Sequence, residues 1–152
     1  MTHCNPTIYF AASIRGGRDY IKLYYRMINH LKLYGTVLTE HIGSSKLEAL
    51  GEDDLSDPEI HDRDLSWLFD AALVVAEVTQ PSIGVGYELG RLAERRNLPP
   101  ENILCLYRPQ EGKRLSAMIA GSRHLTVKTY TSLNEAVAHI DSFMTSADVQ
   151  KK

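Results

Sequence analysis

Cysteine is scarce in this chain, two in 152 residues, and that excludes a disulfide framework or a cysteine-built zinc site. Cys4 stands near the start and Cys105 within the apolar run Ile103-Leu104-Cys105-Leu106; both are expected as reduced thiols, as in proteins of the cytosol or nucleus. Positive charge is not in excess either. Lys and Arg number 17 against 19 Asp and Glu, a formal charge of -2, which offers a nucleic-acid polymer no long-range attraction. No apolar run approaches the roughly 20 residues of a membrane helix. The opening Met1-Thr2-His3-Cys4-Asn5-Pro6 lacks the basic and apolar regions of a secretory signal. The expectation is a soluble cytosolic or nuclear protein with no polymer or membrane partner. Two nucleotide motifs are missing as well: there is no GxxxxGK[ST] loop, and Gly84-Val85-Gly86-Tyr87-Glu88-Leu89 puts Leu where a dinucleotide fingerprint needs its third small residue. These absences argue against a P-loop NTPase and a typical NAD enzyme.

What is present is a globular composition, 43% hydrophobic, in a length that suits one domain over residues 1–152, with residues 1–6 and 147–152 expected to fray. Thr7 to Ala12 predicts a buried strand running into the loop Ser13-Ile14-Arg15-Gly16-Gly17. Ile21, Tyr24, Met27, Ile28, Leu31 and Tyr34 then mark one helical face from Arg18 to Tyr34, with Gly35 as the expected C-cap. Thr36 to Glu40 predicts a second strand, and Ile42 to Asp57 a long connection. Ser56-Asp57-Pro58-Glu59 joins an N-cap, a first-turn proline and a capping-box acid, opening a helix to about Ala72. Further strands are expected at Leu73–Thr79, Ile103–Tyr107 and Leu125–Tyr130, and helices at Gly86–Arg96, Leu115–Ala120 and after the box Ser132-Leu133-Asn134-Glu135. Alternation of apolar strands with helices indicates an α/β fold: a doubly wound, flavodoxin-like (Rossmann-type) five-stranded parallel sheet flanked by helices.

In such sheets ligands bind beyond the carboxyl ends of the strands, here between the first and third. That selects the loops 13–17 and 80–86, whose Gly and Ser let backbone N–H groups approach an anion, with Arg15 adding a fixed charge. The plainer alternative is a pair of ordinary strand-to-helix turns. Glu88, read as lying in the first turn of the helix from Gly86, is expected to stay ionised beside the helix dipole; alone it is equally a simple first-turn acid. Asp64 shares a helical stripe with Ile60, Trp67, Leu68 and Ala71, where apolar surroundings would keep it protonated. Its alternative is an ion pair with Arg63 or Arg91. An ionised and a protonated carboxyl flanking a phosphate-anchored ligand suit glycoside cleavage. Tyr9, at the end of strand one, could hydrogen-bond Glu88, or be simply core.

The segments Tyr9–Arg18, Gly35–His41, Ile60-His61 with Asp64-Leu65 and Trp67-Leu68, Val74–Ser82 and Gly84–Arg91 closely resemble the 2′-deoxynucleoside 5′-phosphate N-hydrolase family, within the nucleoside 2-deoxyribosyltransferase superfamily. The resemblance implies a homodimeric enzyme of Rossmann-like fold, needing neither metal nor cofactor. It would hydrolyse deoxynucleoside 5′-monophosphates by double displacement. Glu88 then corresponds to the nucleophile, Asp64 to the acid that assists departure of the base, and Tyr9 to the aromatic residue beside the nucleophile. Ser13, Arg15 and Gly16 match one phosphate loop, Ser82 and Gly84 the other. Ser116 matches a serine given to the partner's site, and Ile14 is placed to reject a ribose 2′-hydroxyl. Ala11-Ala12 departs from the family's usual Cys-Gly, and 44–57 matches poorly, so base preference does not carry over. The rival readings are a deoxyribosyltransferase and a non-catalytic nucleotide-binding module.

Overall fold

The computed structural model describes residues 5–14, 20–43 and 54–147. Strands β1 (Thr7–Ala11), β2 (Thr36–Val37), β3 (Leu73–Glu77), β4 (Ile103–Tyr107) and β5 (Thr126–Thr129) form one all-parallel sheet in the order β2-β1-β3-β4-β5. This is the doubly wound order expected from the alternation of elements. Ile8 lies opposite both Val37 and Leu73, and Val75 opposite both Phe10 and Leu104. Helices α1 (Ile21–Leu31) and α5 (Leu133–Ser146) cover one face, while α2 (Asp57–Asp70) and α3 (Ile83–Arg95) cover the other. A single turn, α4 (Ala117–Ala120), follows β4.

Strand alternation sorts the core into two layers. Ile8, Phe10, Val75, Leu104 and Leu106 meet Tyr24, Met27 and Leu31 of α1 and Ile140 and Phe143 of α5. Tyr9, Ala11, Val74, Ala76 and Cys105 meet Leu65 and Leu68 of α2 and Val85, Leu89 and Leu92 of α3. Both faces of the central strands are thus dry, which is why β3 and β4 read as unbroken apolar runs.

Several boundaries differ from the sequence-based expectation for identifiable reasons. The second strand stops at Val37: Thr39 turns its hydroxyl inward, accepting from the Phe10 N–H at 2.8 Å and donating to the Phe10 carbonyl at 2.6 Å, and a 3-10 turn follows at Glu40–Gly43. Gly35 is not a left-handed C-cap, since that role falls to Lys32 in a right-handed conformation. Glycine is needed at 35 because a Cβ there would stand 2.2 Å from the Pro6 carbonyl oxygen. Helix α3 begins at Ile83, three residues before the expected Gly86, because the Ser82 hydroxyl caps it by accepting from the Val85 N–H at 3.3 Å. In α5 Ser132 accepts from the Glu135 N–H, but Glu135 reaches back to Thr131 rather than to the cap residue. The box at α2 forms as expected, with Glu59 accepting from the Ser56 N–H at 2.8 Å. Arg18, most of the 42–57 connection and Cys4 lie outside the described residues.

Candidate active site

Above the carboxyl ends of β1 and β3 opens a cleft of about 1260 Å³. Its lining includes Ile14 after β1, Ser82 and Gly84 at the start of α3, Asp64 on α2, Glu88 on α3 and Ser116 before α4. Five residues singled out from sequence, Ile14, Asp64, Ser82, Gly84 and Glu88, therefore meet in one place, while Ser116, expected in the partner's site, lines the cleft of its own chain. Tyr9 stands just behind them, nearly sealed, donating its hydroxyl to Glu88 Oε1 at 2.7 Å. Ser13 does not face the cleft: it is 0% exposed and its hydroxyl has no hydrogen-bond partner. Arg15 and Gly16 lie outside the described residues.

The two carboxyl groups are placed differently from the expectation. Because α3 starts at Ile83, Glu88 is its sixth residue, beyond the first turn where the helix dipole acts. Half-buried against Tyr9, it is governed by desolvation, which pushes its pKa up to about 7. The hydrogen bond from Tyr9 opposes the rise and the charge of Asp64 adds to it. The same surroundings raise the Tyr9 phenol, burial first and Glu88 next, so it stays protonated and keeps its O–H for Glu88. Asp64 is not enclosed by an apolar stripe. Leu65 and Leu68 are the α2 residues buried against the sheet, with Ala71 just past the helix end. Asp64, one step round, takes two hydrogen bonds from Arg63 on Oδ1, from Nε at 2.9 Å and Nη2 at 2.7 Å. The ion-pair alternative is the one realised, with Arg63.

Sequence reasoning missed other parts of the site. His61, Ile42 and Arg114 also line the cleft. His61 is hydrogen-bonded to Tyr87 Oη at 3.0 Å, and Tyr87 in turn accepts from Arg91 at 2.6 Å. Below the loop after β3, Glu77 is buried and its Oε1 accepts from the Thr79 N–H at 3.1 Å, the Thr79 hydroxyl and, more weakly at 3.4 Å, the Tyr130 hydroxyl. Thr79 also accepts from the Arg108 N–H at 2.8 Å, so the chain leaving β3 is tied to the ends of β4 and β5. A glutamate inside Val74-Val75-Ala76-Glu77-Val78 was the available signal. Among the described residues no three His, Cys, Asp or Glu side chains cluster as metal ligands would, and no helix is long and apolar enough to cross a membrane.

A parallel sheet in this order, with a facing carboxylate pair at its switch point, defines an α/β protein built to act on a small ligand. The chain belongs to the nucleoside 2-deoxyribosyltransferase family, whose model matches residues 8–118. It is 56% identical over 128 residues to a Nematostella vectensis protein named, provisionally, 2′-deoxynucleoside 5′-phosphate N-hydrolase 1. That match covers 81% of this chain and 84% of the other. A Tetraodon nigroviridis 5-hydroxymethyl-dUMP N-hydrolase is 53% identical over 116 residues, covering 76% of this chain and 79% of its own. Among solved structures, that of a Clostridium botulinum CMP N-glycosidase shares the fold, with TM-score 0.63 and 16% identity over 90% of this chain and 98% of that one.

Proposed function

We propose that the protein is an N-glycosidase that hydrolyses 2′-deoxynucleoside 5′-monophosphates to free base and 2-deoxyribose 5-phosphate, the whole chain working as one domain. The observation that carries this reading is the 2.7 Å bond from Tyr9 to Glu88 beside Asp64 in a nucleotide-sized cleft, in a chain whose relatives are named for this reaction.

Near neutrality Glu88, raised to about 7, carries a proton in about half of the molecules. Catalysis needs that proton on Asp64. Its transfer across the pair leaves Glu88 ionised, to attack the anomeric carbon, and Asp64 charged with a proton for the departing base. Water then cleaves the deoxyribosyl–Glu88 ester, with Asp64 taking the proton from water. Tyr9 steers the carboxylate by its fixed donor. The N-terminus of α3 with Ser82 and Gly84 holds the phosphate, together with Arg15 and Gly16 of the first loop. Ser13 enters through its backbone, its hydroxyl being turned inward. Ile14 packs where a 2′-hydroxyl would project.

A second copy of the chain completes the site in this reading. Ile83 is 94% exposed and Met118 82% exposed on the rim of the cleft, an apolar surface suited to a partner. In this reading the partner's Ser116 adds its hydroxyl to the phosphate site. No step assigned here requires a metal or cofactor.

Incubation with a panel of deoxy- and ribonucleoside monophosphates tests the reading. Free base and sugar phosphate from the deoxy series support it; tight binding without turnover points to a binding module. The family's name favours one rival, base exchange. Transfer products exceeding free sugar phosphate when an acceptor base is added would establish that instead.

A further inference from the structure

Asp57, Asp64 and Glu88 line this cleft, and the only guanidinium hydrogen-bonded to either of the last two, among the described residues, is that of Arg63. Neighbouring residues on a helix do not naturally face each other. For Arg63 to reach Asp64, its side chain folds back along α2 and rests on Trp67 one turn later, with the guanidinium carbon 4.7 Å from the ring centroid. Trp67 is itself backed by the His41 ring at 6.2 Å. Both N–H groups fall on the same oxygen, Oδ1, and both side chains are about four-fifths buried, at 22% and 21% exposure. A solvated surface pair has neither the stacking nor the burial. Arg63 does not line the cleft; it acts through Asp64.

Building on the proposed hydrolysis, we infer that Arg63 is a positioning residue. It clamps the orientation of Asp64 and supplies the positive charge that offsets two carboxyl groups lining one cleft. Among the described residues, the other charged and titratable groups that line the cleft or act on the pair are Tyr9 from β1, Asp57, His61 and Arg63 from α2, and Arg114 before α4. Burial raises Glu88, and the charge of Asp64 adds to the rise. A guanidinium held on Asp64 offsets that charge, so removing it should move carboxyl titration upward.

The test uses ligand-free protein with ¹³C-labelled carboxyl groups, followed by NMR titration, alongside kcat and KM against pH. In Arg63→Gln the Glu88 midpoint rises by about one unit, and the alkaline limb of kcat moves with it. At pH 7 kcat falls about tenfold while KM changes less than about threefold. Arg63→Lys keeps the wild-type midpoint but loses part of kcat, because it keeps the charge without the fork. Trp67→Leu, which leaves the charge and removes its rest, behaves like Arg63→Lys and serves if Arg63→Gln does not fold. An unmoved midpoint in Arg63→Gln, a midpoint raised equally in Arg63→Lys, or wild-type kcat in Trp67→Leu overturns the inference. Because the titration needs no substrate, a wild type inert toward deoxynucleotides would sink the proposed function and leave this result to be read by itself.

Discussion

Glu77 and Glu88 are two glutamates near the carboxyl edge of one sheet, on opposite faces, and they have been put to opposite uses. Both are pushed up by burial. Glu77 is 1% exposed, packed on the α1/α5 side, and Oε1 is taken up by Thr79 and Tyr130. That one oxygen helps to join β3, β4 and β5, while Oε2 is buried with no hydrogen-bond partner among the described residues. Glu88 has one protein donor, Tyr9, and a carboxyl group that opens onto the cleft. Burial perturbs an acid; access to a cavity is what makes the perturbation usable.

The comparison breaks most sharply if Glu88 is replaced. Glu88→Ala is expected to lower kcat by about 10³-fold or more while deoxynucleotide binding persists. Near wild-type turnover would remove the nucleophile assignment. Glu77→Ala should act on stability instead, destabilising by about 2–3 kcal/mol because Thr79 and Tyr130 lose their acceptor inside the protein. Chemical denaturation measures it, and a loss of kcat without loss of stability would place Glu77 in the chemistry.

Stability separates the two further. Glu88 has a folded pKa of about 7, raised from an unfolded value of 4.5. Its stabilising contribution is complete below about pH 4.5 and is lost as pH rises through 7. Glu88→Gln, which cannot ionise, is therefore expected to be more stable than the parent at pH 8, on the order of 2 kcal/mol. The advantage vanishes by pH 4; an equal difference at both pH values would show that Glu88 is not the titrating group. Tyr9→Phe sharpens the same point. Without the donor that favours the ionised form, the alkaline limb of kcat, which falls as the shared proton is lost above about pH 7, should move upward, with kcat about tenfold lower. The smallest effect is expected at Ser116→Ala: a few-fold rise in KM for phosphorylated substrate, near the value of one hydrogen bond. An unchanged KM would argue against the intersubunit role.

Much of this was legible beforehand. Apolar runs at Leu73–Val78 and Ile103–Tyr107 announced buried parallel strands, and the i, i+3, i+4 pattern of Tyr24, Met27, Ile28 and Leu31 announced α1. Alternation of the two then sufficed for the sheet order. Gly84, Ser82 and Glu88 were found because the switch-point rule needs only that order. The misreadings have two causes. Gly35 and Thr39 depend on segments distant in the chain, the Pro6 carbonyl and the backbone of Phe10, whereas Ser82 and Asp64 turn on local partners, the Val85 N–H and the adjacent Arg63, among which periodicity does not choose.

The amino-acid sequence by itself determined the layers, the strand order and the cleft that brings Tyr9, Asp64 and Glu88 together. Periodicity and capping are local properties, and burial of the resulting faces leaves few arrangements open. That Glu88 carries a raised pKa was decided only by the tertiary structure: desolvation by the packed β1–α3 contact raises it, while a guanidinium held on Trp67 gives Asp64 a charged partner. The desolvation comes from segments distant in the chain and the pairing from a side chain folded back along its helix, so both exist only once the chain has folded.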